Sequence, residues 1–135
     1  MRRAATAGAL LAAAAGAAGT AAASTPGTAA RLPSTAVGVG EREFRIALYR
    51  RVVPPGDVRL NLRNYGEDTH DLAVLTARGT TVATSGEVKA GARAALRVRL
   101  LRTGTYTVIC TLSNHAARGM RTTLVVRRLA ARGTG

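Results

Sequence analysis

From residue 36 onward the chain is dominated by strict alternation of apolar and polar positions. Val37 and Val39 alternate with glycines, and Phe44, Ile46 and Leu48 alternate with Glu43, Arg45 and Ala47. Val58-Arg-Leu60-Asn-Leu62-Arg-Asn64 is the cleanest run, and Ala94 to Leu100 repeats it. A period of two sends successive side chains to opposite faces, so each run is predicted as a half-buried strand. His70 to Leu75, Thr105 to Cys110 and Arg121 to Arg127 are predicted strands as well, with shorter segments around Thr80–Val82 and Glu87–Lys89. Pro54-Pro55-Gly56-Asp57, Tyr65 to Thr69, Ala90-Gly91 and Arg102-Thr-Gly104 are the turns between them. No window has a helical period. About seven or eight short strands, with turns roughly every ten residues, predict an all-β sandwich or barrel.

Strand parity also places chemistry. His70 shares a face with Leu72 and Val74, and Cys110 shares one with Tyr106 and Val108, so imidazole and thiol both point to the interior at strand ends. Cys110 is the only cysteine; His70 and His115 are the only histidines; Met120 is the only methionine besides Met1. Cys110, His115 and Met120 lie within one loop. One thiolate, two imidazoles and a more distant thioether are the donor set that suits copper cycling between Cu(I) and Cu(II). Zinc would accept the first three and takes a thioether poorly.

The N-terminus is of another kind. Met1-Arg2-Arg3 precedes an alanine-dominated run with no charge until Arg31, the pattern of an export signal. Ala21 and Ala23 occupy small-residue cleavage positions, which gives a signal peptide over 1–23 and a first mature residue at Ser24, with cleavage after Ala30 as the alternative. A retained membrane anchor is the competing reading, weakened by only two leucines in the run, Leu10 and Leu11. Residues 24–35 are small and polar with two prolines and read as a disordered lead-in; 36–128 form one domain and 129–135 a tail. The expected location is therefore outside the cytoplasm: periplasm, cell envelope or medium. A lone cysteine there has no intramolecular disulfide partner and needs protection by burial or by a metal.

Charge narrows the partners. The 20 basic residues less Arg2 and Arg3 face 7 acidic ones, a mature charge of about +11 carried almost wholly by arginine. An acidic redox protein or an anionic cell-envelope surface is the expected partner. Nucleic acid is not expected, since Phe44, Tyr49, Tyr65 and Tyr106 are the only aromatics and do not interleave with the basic residues.

Two motifs carry a family resemblance: Asn64-x-Gly66-x-x-x-His70-Asp71, and Gly104-x-Tyr106-x-x-x-Cys110-x-x-x-x-His115-x-x-x-x-Met120 followed by an apolar strand. Over residues 36–127 the chain resembles the cupredoxins, the type 1 blue copper proteins, with ligand-loop spacing similar to azurin and rusticyanin. The resemblance implies a Greek-key β-sandwich, one copper ion, His70, Cys110 and His115 as strong equatorial ligands, and Met120 as the axial one. Two positions depart from the family pattern. Ser113-Asn114 replaces the frequent Pro-Gly, and Asn114 is the residue expected to tolerate positive φ there. Asp71 replaces Asn or Ser, and is expected to accept a hydrogen bond from the Thr111 backbone while its charge favours Cu(II). Ala116, Ala117 and Arg118, beside His115, form the expected docking patch. The implied function is one-electron transfer by a monomer, with copper delivery as the alternative. Catalysis is disfavoured, because two histidines cannot furnish further copper sites.

Overall fold

The computed structural model describes residues 34–130. The signal-peptide and anchor readings, the lead-in as far as residue 33 and the tail from 131 fall outside them.

Nine strands occur among the described residues: β1 Ser34–Arg42, β2 Arg45–Leu48, β3 Val52–Val53, β4 Gly56–Asn64, β5 Ala73–Leu75, β6 Thr81–Thr84, β7 Arg93–Leu100, β8 Gly104–Ile109 and β9 Arg121–Val126. They form a four-stranded sheet in the order β2-β1-β4-β7 and a five-stranded sheet in the order β3-β9-β8-β5-β6. Both sheets are mixed, because β1 runs parallel to β4 and β3 parallel to β9. The count differs from the seven or eight expected because the run from Val37 to Leu48 is split into β1 and β2, and the two-residue β3 is too short to show alternation. Of the expected segment Glu87–Lys89 only Val88 pairs, in an isolated bridge with His70.

The core lies between the sheets and is built by the alternation. Val37 and Val39 of β1, Val58, Leu60 and Leu62 of β4, and Leu96, Val98 and Leu100 of β7 face Val74, Tyr106, Val108, Leu124 and Val126 of the other sheet, all buried. Burying a Val or Leu side chain is worth roughly 1.5–3 kcal/mol, so this aliphatic layer sustains the sandwich without a metal. The Tyr106 hydroxyl donates to the Arg102 carbonyl at 3.0 Å and closes the turn into β8.

Three boundaries differ from the sequence reading. β1 starts at Ser34, so Ser34 and Thr35 belong to the sheet rather than to a disordered lead-in; parallel pairing with Asp57 and Val58 holds them. Gly56 and Asp57 open β4 instead of ending a turn. His70 does not open β5: it makes an isolated antiparallel bridge with Val88, and the ladder begins only at Ala73.

Candidate metal centre

His70 is placed by its backbone, which exchanges hydrogen bonds with Val88: N to O at 3.1 Å, and Val88 N to His70 O at 2.6 Å. Asn64, buried at the end of β4, organises the loop before it. Its Oδ1 accepts from Gly66 N at 2.8 Å, and its Nδ2 donates to the carbonyls of Asp68 and Val88 at 2.7 and 2.9 Å. Cys110 follows the last residue of β8. Its amide donates to the Met120 carbonyl at 3.1 Å, and Met120 N donates to the His115 carbonyl at 2.9 Å. These two bonds fold residues 110–120 into a closed loop whose ends carry a thiol and a thioether, both fully buried.

His70, Cys110 and His115 come together as expected. Nδ1 of His70 lies 3.3 Å from Nδ1 of His115, which lies 3.6 Å from Cys110 Sγ. All three donor atoms fall within 4.8 Å of one another, and all three residues are buried. Donors about 2.0–2.3 Å from a single ion have such separations when they subtend angles of about 110°. The imidazole rings meet edge to face, with centroids 5.2 Å apart. Burial pushes the Cys110 thiol above its ordinary pKa, so a metal that binds there displaces a proton. With Met120 closing the same pocket, the four residues form a potential site for one soft or borderline ion.

The residues around the donors fall into place unevenly. Asp71 does tie the two loops together: Oδ1 accepts from Thr111 N at 2.5 Å, and Oδ2 accepts from the Thr111 hydroxyl. Asn114 is exposed, and its carbonyl accepts from Arg118 N at 3.1 Å. The left-handed residue of the loop is Ser113, with φ of 47°, and not Asn114. Gly119 has φ of 123°, and a Cβ there would stand 2.8 Å from the Phe44 carbonyl, so the loop closes only with glycine. Ala116 is half-buried; Ala117 and Arg118 are exposed. Arg118 holds its guanidinium 3.6 Å from the Phe44 ring centroid, and that ring meets His115 edge-on at 5.2 Å.

Glu43 was not foreseen. The alternation counts it as an outward residue of one continuous strand, whereas Glu43 and Phe44 form the turn between β1 and β2. Its Oε1 lies 2.9 Å from His70 Nε2 and accepts from the amides of Asp68 and Glu67 at 2.8 and 3.0 Å. The Asp68 amide above all, and then Glu43's own amide, the His70 ring and the Glu67 amide, hold the carboxyl down at about 2 against the opposing effect of burial. It is therefore an anion that accepts a hydrogen bond from His70 Nε2–H, which keeps the ring proton on Nε2 and leaves the Nδ1 lone pair facing the other donors. Gly66 makes this possible, because its missing Cβ would overlap the Glu43 carboxylate. Glu43→Gln should keep the fold and weaken Cu(II) affinity roughly 10- to 100-fold, checked by competition with a chelator of known strength. Unchanged affinity would show that His70 needs no such partner.

No protein-family model and no curated protein matches the chain. Solved structures do resemble it. Auracyanin A, described as a "blue" copper protein from the green thermophilic photosynthetic bacterium Chloroflexus aurantiacus, has a TM-score of 0.59 at 13% identity over 70% of this chain and 100% of its own. Auracyanin from the photosynthetic bacterium Roseiflexus castenholzii gives 0.55 at 15% identity, covering 70% and 97%. Auracyanin B gives 0.57 at 19% identity, covering 77% and 94%. The fold is thus the all-β cupredoxin sandwich of the blue copper proteins, and the buried donors lie at one pole of it.

Proposed function

We propose that this chain is an exported type 1 copper protein that carries one electron at a time. The observation that carries the reading is the buried convergence of His70 Nδ1, Cys110 Sγ and His115 Nδ1 within 4.8 Å, with Met120 buried in the same loop. Copper held there supplies a Cu(I)/Cu(II) couple with a thiolate ligand. The protein keeps the donors dry and fixed: Glu43 orients His70, Asp71 locks the loop of Cys110 to that of His70, and Gly119 closes the loop of His115 and Met120. A site whose ligands are held before the metal changes charge has little to rearrange when it does. Burial of every donor also speaks for electron exchange over metal delivery, since release of the ion needs the loop 110–120 to open.

His115 offers the route outward, with its ring near the surface beside Ala117 and Arg118. Charge at this pole is mixed, because Glu67 and Asp68 stand on the facing loop and Asp68 Oδ2 lies 4.0 Å from His115 Nε2. The acidic redox partner we assign to this edge rests on the net charge of the chain and on Arg118. Carboxylates so near the imidazoles favour Cu(II) and should lower the reduction potential.

The absorption spectrum of the Cu(II)-loaded protein tests the proposal. An intense visible thiolate-to-copper band that bleaches on reduction and returns on oxidation, with the copper retained, is the expected result. A protein that stays colourless, or that releases its copper on reduction, overturns the carrier reading.

A further inference from the structure

The two sheets of the sandwich differ sharply in charge. The five strands of one, β3, β9, β8, β5 and β6, contain a single charged residue, Arg121. Their outward positions are threonines and aliphatics such as Thr105, Thr107, Thr123 and Val125. The four strands of the other carry Arg42, Arg45, Arg59, Arg63, Arg93, Arg97 and Arg99 on the side facing away from the core. Against these stands one outward carboxylate, Asp57, held by Arg99 at 2.7 Å.

Register makes the face costly to the fold. Arg59 pairs directly with Arg97, Arg63 with Arg93, and Arg42 with Arg45. Like charges opposite one another in a sheet destabilise it by a few tenths to about 1 kcal/mol per pair. Charge that served only solubility would be mixed in sign and spread over both outer faces. Here it is of one sign, on one face, at the strand spacing of about 4.8 Å. Two tyrosines lie over the same face. Tyr49, 72% exposed, lies on Gly38, where a Cβ would stand 2.5 Å from its ring, and Tyr65, 47% exposed, takes Arg63 at 4.9 Å from its ring centroid.

We infer that the outer face of the β2-β1-β4-β7 sheet docks the domain flat on an anionic lipid bilayer, its arginines on headgroup phosphates and its tyrosines at headgroup level. A guanidinium matches a phosphate with two parallel hydrogen bonds, and exposed tyrosine settles at the membrane–water interface. A bilayer satisfies what a protein partner does not, since it presents one sign of charge over a plane as wide as four strands. The metal pole lies at the end of the sandwich, off this face, so His115 stays accessible to a soluble partner while the domain is docked. The inference does not depend on copper.

Co-sedimentation of the metal-free and the copper-loaded protein with phosphatidylglycerol and phosphatidylcholine vesicles tests it. Both forms should bind phosphatidylglycerol equally, release it as salt rises, and leave phosphatidylcholine in solution. Arg59→Gln with Arg97→Gln, and separately Arg63→Gln with Arg93→Gln, should each weaken binding about 30-fold, at about 1 kcal/mol per arginine near the surface. Arg121→Gln on the opposite sheet should change nothing. Two separate pairs guard against one misfolding, and thermal melts at or above that of the parent show that each folds. Equal binding by all variants, binding to both lipids, or binding to polyglutamate or duplex DNA with none to phosphatidylglycerol would overturn the inference.

Discussion

Cys110→Ser should abolish the visible band of the Cu(II)-loaded protein completely while leaving the sandwich folded. The band needs a thiolate bound to copper, and Cys110 is the only thiol in the chain. A serine hydroxyl does not ionise in the working pH range, so the variant loses the charge that binds the metal most strongly as well as the colour. The fold survives because its core is aliphatic and does not depend on the sulfur. The new hydroxyl would be buried beside His115 Nδ1, from which the sulfur now lies 3.6 Å away, and near the Asp71 and Leu112 groups that already bond the thiol, and such a replacement costs about 1–2 kcal/mol. The circular dichroism of metal-free variant and parent should therefore coincide. Their melting temperatures should diverge on addition of copper, because a ligand that binds only the folded state raises stability with its affinity. A variant that kept the band would show that another donor holds the copper.

Particular residues show how far the sequence could be read. Alternation in β4 is realised almost without exception, because one face of that strand meets the core and the other meets water. It foretold the inward thiol of Cys110, just past the end of β8, for the same reason. It failed as a discriminator in the segment that runs from His70 into β5, where Asp71 and Ala73 are buried along with His70, Leu72 and Val74. A segment covered on both sides has no polar face to alternate with. The site itself was legible because its donor types are so scarce that four residues had no substitutes. Its support was less legible. Glu43 reaches His70 from 27 residues away, across a turn that no period signals. Ser113 takes the left-handed conformation although Asn114, next to it, is the better residue for it on propensity. The loop bonds from Cys110 to Met120 and from Met120 to His115 set that geometry, and local preference yields to them. The charge asymmetry between sheets was hidden for a related reason: arginines evenly scattered in sequence are segregated in space once strand order and register are fixed.

Glu41→Gln should stabilise the protein at neutral and alkaline pH and flatten its stability between about pH 4.5 and 8. Glu41 stands in phase with Val37 and Val39 on β1, so the strand turns its side chain inward, and it is fully buried. Neither carboxyl oxygen has a hydrogen-bond partner among the described residues. Burial, with the Asp71 carboxylate adding to it, pushes Glu41 from its ordinary 4.5 up to about 8. The native state thus keeps a proton there that the unfolded chain gives up above pH 4.5. Stability linked to this proton is complete below 4.5 and is lost as pH rises towards 8, at about 1.4 kcal/mol per unit. Several kcal/mol is a large share of the roughly 5–15 kcal/mol typical of a domain. Glutamine keeps the size of the side chain and cannot ionise, so the difference between parent and variant isolates Glu41 from other groups that titrate in the window. Glu43 does not interfere, since its lowered pKa gives stability that is lost only as pH falls below 4.5 towards 2. Urea titrations of the two metal-free proteins at several pH values should give coincident midpoints near pH 4 and a gap that widens steadily to pH 8. A constant gap across that range would mean that Glu41 ionises in the folded protein as freely as in the unfolded one, with a counter-charge holding it.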